Sequence, residues 1–153
     1  MTQLHLQDLF KVNEVEIIYR NRIPYQDRIQ ITQSEVLRSN WDENRLELVE
    51  QFKILMLDQK NNCLAISDIA TGGMAACLAD PKMIFATALK TRAIGIILAH
   101  NHPSGNLQAS GGDLTLTRKL VEGGKLLNIN VLDHLIITAH NCTSLADAGL
   151  MPR

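Results

Sequence analysis

Aromatic residues are scarce. Two Tyr, three Phe and one Trp make up 4% of the 153 residues, too few to advertise a base-stacking platform. An excess of charge of one sign is also missing, because 15 Lys and Arg stand against 16 Asp and Glu. No phosphate-binding surface is indicated by that balance, and composition gives no argument for a DNA partner. Cysteine is sparse as well. Cys63, Cys77 and Cys142 are odd in number and contain no C-x-x-C pair, which argues against a disulfide framework and against a thiolate zinc site. They read as small apolar residues. Long hydrophobic runs are lacking too: Ala93 to Ala99 and Val131 to Ala139 fall far below the roughly 20 residues needed to cross a bilayer. The N-terminal Met1-Thr2-Gln3 has no basic and apolar signal pattern. A soluble, cytoplasmic protein without a membrane partner is the expectation; oligomeric state and substrate are not written in the composition.

What is present suits one folded core. With 46% hydrophobic and 20% charged residues, the chain can bury a single good interior. Residues 1–30 read as an N-terminal extension, with one strand-like segment at Val15 to Tyr19, and residues 31–153 as the domain. Thr32-Gln33-Ser34-Glu35 has the pattern of a capping box opening a short helix to about Asn40. Phe52 to Leu57 and Cys63 to Ile66 read as strands joined by the turn residues Asp58 to Asn62. Asp80 and Pro81 open a helix to about Thr91, and Ala93 to Ala99 reads as a buried central strand. Asp113 to Leu127 carries helical periodicity, and Asn130 to Ala139 reads as a further strand. Interleaved strands and helices predict an α/β fold, a mixed sheet with helices on its faces.

The chemistry is concentrated in His100-Asn101-His102-Pro103-Ser104-Gly105 and, after ten intervening residues from His102, Asp113. Histidines at i and i+2 on a strand point to the same side, so both imidazoles can reach one ion. Pro103 and Gly105 turn the chain and let the next helix return Asp113 to that ion. Two neutral imidazoles and a carboxylate leave a fourth tetrahedral position for water, the arrangement of a catalytic zinc site.

These residues closely resemble the JAMM, or MPN-type, metalloprotease family, whose pattern is an upstream Glu, then H-x-H, seven residues, Ser, two residues and Asp. Here the pattern is filled by Glu50, His100, His102, Ser110 and Asp113. The wording His-Asn-His-Pro-Ser-Gly, with Asp133-His134-Leu135-Ile136, narrows the resemblance to the bacterial RadC-like branch, historically labelled DNA repair proteins, over roughly residues 30 to 150. The resemblance implies a three-layer fold like that of cytidine deaminases and one zinc ion per chain. It also implies hydrolysis of a peptide or isopeptide bond, with Glu50 as general base and Ser110 holding the oxygen of the tetrahedral intermediate. Glu43 and Glu47 are rivals for the base, and Ser110 is also suited to cap a helix. Asp133 and His134 read as a hydrogen-bonded structural element, with a supporting role behind the metal as the alternative. His5 and His140 read as surface residues.

A DNA-associated accessory protein in repair or mobile-element biology, without hydrolytic activity, would follow the RadC label. A zinc nucleobase deaminase would need His-x-Glu and Pro-Cys-x-x-Cys, and neither is present. A metal-binding scaffold without activity is the remaining alternative.

Overall fold

A computed structural model describes residues 22–31, 35–39, 41–72 and 79–153. The segment Val15 to Tyr19, His5, the capping residues Thr32 to Ser34, and Cys77 lie outside the described residues.

The sheet begins with a hairpin. Strand β1, Gln51–Leu57, is apolar on both faces and almost wholly buried. Asp58 then forms the turn by accepting hydrogen bonds from the amides of Lys60 (2.9 Å) and Asn62 (3.0 Å), while Asn61 takes the left-handed conformation that Asn tolerates. Strand β2, Cys63–Thr71, returns antiparallel and runs five residues beyond the expected Ile66. Its later residues are polar because it is an edge strand with one half-covered face. Pairing continues through Lys53↔Asp68, reinforced by an ion pair between those two side chains.

Helix α2, Pro81–Lys90, opens as the sequence predicts, with the Asp80 carboxylate accepting from the Lys82 amide at 2.9 Å and Pro81 in the first turn. It buries Ile84 and Ala88. Strand β3, Gly95–Asn101, is buried throughout and carries His100 within it. Helix α3, Gly111–Leu127, is capped at its start by Ser110 and at its end by left-handed Asn128. A methyl group on Gly124 would sit 2.3 Å from the Ile129 carbonyl, so only glycine lets the chain leave α3 this closely. Strand β4, Asn130–Ile137, follows, and a short strand β5, Cys142–Ser144, closes the edge. That last strand was not anticipated, being too short to show a period.

The strand order is β2-β1-β3-β4-β5. Only β3 and β4 are parallel, joined by α3 as the crossover; the other neighbours are antiparallel. Alternation sorts the central strands into two apolar faces. Phe52, Ile54, Met56, Ile96 and Leu98 pack under Ile84, Ala88 and Leu120 of α2 and α3. Leu55, Leu57, Ile97, Ala99, Leu135 and Ile137 face the other way against Leu37, Trp41 and Leu46. Leu37 belongs to a single helical turn, α1, Glu35–Arg38. The result is a mixed sheet flanked by helices. Among the described residues no helix is long and apolar enough to cross a membrane.

Candidate metal centre

The buried strand β3 delivers His100 to the edge of the core, and the chain continues one residue further in register, the His102 amide donating to the Ile137 carbonyl at 2.9 Å. Because side chains alternate, His100 and His102 share the face of Phe52, whose ring stacks on that of His100 at 5.9 Å between centroids. The loop that follows folds back so that α3 starts beneath them. Ser110 and Asp113 form a complete capping box there. The Asp113 amide donates to the Ser110 hydroxyl oxygen at 3.1 Å, and the Ser110 amide donates to Asp113 Oδ2 at 2.7 Å. The Ser110 hydroxyl also donates to Oδ2 at 2.7 Å. These bonds hold the Asp113 carboxylate toward the histidines.

His100 Nε2 lies 2.9 Å from His102 Nε2 and 3.2 Å from Asp113 Oδ1, and His102 Nε2 lies 3.5 Å from Asp113 Oδ2. One ligand atom from each of the three residues lies within 4.8 Å of the others. His102 Nδ1 is 2.7 Å from the Asn106 carbonyl, which can only accept, so this nitrogen carries the proton and Nε2 presents its lone pair to the cluster. A lone pair facing a carboxylate and a second ring nitrogen at this range calls for a proton or a cation between them. Two imidazoles and one carboxylate are the donor set that suits zinc and leave a coordination position open. The residues present therefore fit a divalent metal ion.

The electrostatics agree. The hydrogen bond to Asp113 raises the His102 imidazole above its ordinary value; burial opposes this, while the Asn106 carbonyl and the charges of Asp113 and Glu50 add to it. Burial alone would raise the Asp113 carboxyl, but the close approach of the His100 and His102 rings outweighs it and holds the group far below the usual carboxylate range. The cluster is thus built to keep an anionic carboxylate beside positive charge.

Glu50 stands one residue before β1, half-buried. Continuing the Phe52↔His100 register by two residues sets Glu50 level with His102. By alternation it shares the face of Phe52. Glu43 and Glu47, by contrast, are exposed on the preceding turn, and Glu43 lines a cleft with Arg38, Trp41 and His140. Of the three acidic candidates, Glu50 is the one whose charge acts on His102.

Asn101 and Thr117, which sequence reasoning did not assign, and His134, for which it kept a supporting role behind the metal as the alternative, support this arrangement. Asn101, between the two histidines, points to the opposite face and is fully buried. Its side-chain oxygen accepts from the Trp41 indole (3.2 Å) and the Gln51 amide (2.8 Å), and its amide nitrogen donates to the carbonyls of Leu46 (2.8 Å) and Val49 (2.9 Å). Asn101 therefore clamps the segment that ends in Glu50. His134, fully buried on β4, lies with Nε2 2.8 Å from His100 Nδ1 and Nδ1 2.6 Å from the Thr117 hydroxyl. Burial pushes its imidazole down to about 3, so the ring is neutral. Asp133 does something separate: it accepts from the Ser144 hydroxyl (2.6 Å) and the Ala146 amide (2.9 Å), tying down the turn after β5. Asp133 also accepts from the His134 amide at 2.7 Å, so the two share a hydrogen-bonded structural element while the His134 ring backs His100. The Asn101 amide between two histidines on a buried strand was a readable sign, as was Thr117 one helical turn beyond Asp113.

A mixed sheet flanked by helices, with His-x-His at the end of a central strand and an Asp in the first turn of the next helix, defines a domain of the JAB/MPN type. The chain belongs to the RadC-like JAB domain family, whose profile matches residues 30–150. It is similar to a UPF0758 protein of Syntrophomonas wolfei, 42% identical over 102 residues, which are 67% of this chain and 43% of that protein. A UPF0758 protein of Moorella thermoacetica is 43% identical over 110 residues, 72% of this chain and 48% of the relative. A third, from Alkaliphilus metalliredigens, is 42% identical over 110 residues, 72% of this chain and 47% of the relative. The chain therefore spans just under half the length of the curated relatives it matches.

Proposed function

We propose that this domain is a zinc-dependent hydrolase of amide bonds, peptide or isopeptide, in which His100, His102 and Asp113 hold the ion and Glu50 is the general base. The observation that carries the reading is the convergence of two imidazole nitrogens 2.9 Å apart on one carboxylate, and the charge of Glu50 that acts on His102 supports the choice of base. When bound at three protein ligands, zinc polarises a carbonyl oxygen and lowers the pKa of a water in its open position to about 7. Glu50 accepts the proton of the attacking water and returns it to the leaving amine. Its half-buried position beside His102 keeps it within reach while limiting solvent competition. The Ser110 hydroxyl, exposed at the mouth of the site, orients Asp113 in the present geometry. A rotation about its side-chain bond would turn that same proton toward the oxygen of a tetrahedral intermediate. Direct attack by water requires no covalent intermediate, and Cys63 and Cys142 take no part.

The test compares Glu50→Gln with Glu43→Gln and Glu47→Gln in a peptide- and isopeptide-library cleavage assay, with zinc content measured on each. Glu50→Gln should keep the ion and lose about 10²- to 10⁴-fold in rate, while the other two stay near wild type. Full turnover in Glu50→Gln would remove the base from this residue.

A further inference from the structure

Behind the cluster runs a chain of hydrogen bonds that begins on one ligand and ends on another. His100 Nδ1 meets His134 Nε2 at 2.8 Å, His134 Nδ1 meets the Thr117 hydroxyl at 2.6 Å, and that hydroxyl meets the Asp113 carbonyl at 2.6 Å. Each of the two rings and the hydroxyl can act as donor or acceptor, but a carbonyl can only accept. Two oxygens at 2.6 Å need a proton between them, so the single Thr117 proton is given to the Asp113 carbonyl. Thr117 must then accept from His134 Nδ1–H. With that nitrogen protonated in a neutral ring, His134 Nε2 is bare and accepts from His100 Nδ1–H. His100 Nε2 is left with its lone pair facing His102 and Asp113.

We infer that His134 and Thr117 are positioning residues of the metal centre, which fix His100 in the tautomer that leaves Nε2 free for the cation. The inference rests on the metal reading of the cluster. The direction of the whole chain is set by the helical carbonyl at its end, so it is anchored in the first turn of α3, the same turn that presents the Asp113 carboxylate. Running the chain in reverse would place a proton on His100 Nε2, where it would block the ion, and would leave the Thr117 and Asp113 oxygens in unscreened contact. The two residues touch no ion themselves, and each is fully buried. A partner that orients a ligand imidazole in this way typically contributes about 10- to 100-fold to metal affinity.

Thr117→Val preserves shape but removes the acceptor for His134 Nδ1–H, which frees His134 to protonate Nε2 and drive His100 into the wrong tautomer. Zinc affinity is measured by competition with a chromogenic chelator on the wild type, Thr117→Val, His134→Leu and His134→Gln, and the His100 tautomer is read by long-range ¹H–¹⁵N correlation on chelator-treated protein. Thr117→Val and His134→Leu should each weaken zinc about 10- to 100-fold. His134→Gln, which can place an amide oxygen near the lost Nε2, should recover much of the loss. In the wild type without metal, His100 should carry its proton on Nδ1. Unchanged zinc affinity in Thr117→Val and His134→Leu, or a wild-type His100 protonated on Nε2, would overturn the inference. If the wild type binds no zinc, the metal reading fails by itself, and the tautomer spectrum still decides whether the chain runs as stated. Should His134→Leu fail to fold, Thr117→Val and the wild-type spectrum carry the test.

Discussion

At Ser110 one hydroxyl serves two masters. Its oxygen takes the Asp113 amide and its proton goes to the Asp113 carboxylate, so the residue that caps α3 also aims a ligand. Ser110→Ala removes both interactions. It should lower the stability of the metal-free protein by about 1 kcal/mol, the usual cost of losing an N-cap, read by denaturant titration in the presence of a chelator. Zinc affinity should fall with it, since a freer carboxylate is a poorer ligand. The cluster of His100, His102 and Asp113 was legible in the sequence because the rules that bring it together are local: alternation sets His100 beside His102, and a turn plus a helix start returns Asp113. Glu50 is assigned by family resemblance and by its place directly before an apolar strand, since its position relative to the histidines depends on pairing across about fifty residues of chain. His134 stayed between a structural and a supporting role, and Asn101 escaped assignment, for the same reason. Their partners lie 34 and 50 to 60 positions away, and no periodicity encodes such a contact.

Elements show a parallel division. Strands that are fully buried, β1 and β3, and helices with a cap and a stripe, α2 and α3, stood out in the sequence, although α3 begins two residues before the expected Asp113. The continuation of β2 and the three residues of β5 did not, because edge strands take their pairing from a neighbour rather than from their own pattern. Asn101 binds these elements together, since its four hydrogen bonds join β3 to the turn that leads into β1. Asn101→Ala leaves two carbonyls, a backbone amide and an indole N–H without their partner. At about 1–3 kcal/mol for each buried group left unsatisfied, the loss should exceed about 2 kcal/mol even if some find water. Unfolding in urea checks this, and hydrogen exchange at Gln51 should rise with it.

For the molecule as a whole, the buried groups predict how stability depends on pH in the metal-free state. His134 is held at about 3, whereas the unfolded ring titrates near 6.5. Between these values the unfolded chain binds the extra proton, so stability should fall as pH drops through that window, by up to about 1.4 kcal/mol per pH unit. Asp113, also depressed, adds to the loss as pH falls below its unfolded value of 3.8. His102 works in the opposite sense: its raised value contributes stability that is complete below 6.5 and is lost as pH climbs through the folded value. Metal-free stability should therefore peak near about pH 6.5, and His134→Leu should flatten the acid limb. Bound zinc adds stability on top of this in proportion to its affinity, and requires neutral imidazoles, so occupancy should decline as pH falls through about 6. Zinc stoichiometry tests the whole account most directly, by elemental analysis of protein loaded with zinc and desalted at about pH 7.5. The wild type should hold about one ion per chain and His102→Ala none; an empty wild type, or His102→Ala at full occupancy, would contradict the assignment of His100, His102 and Asp113 as a metal centre.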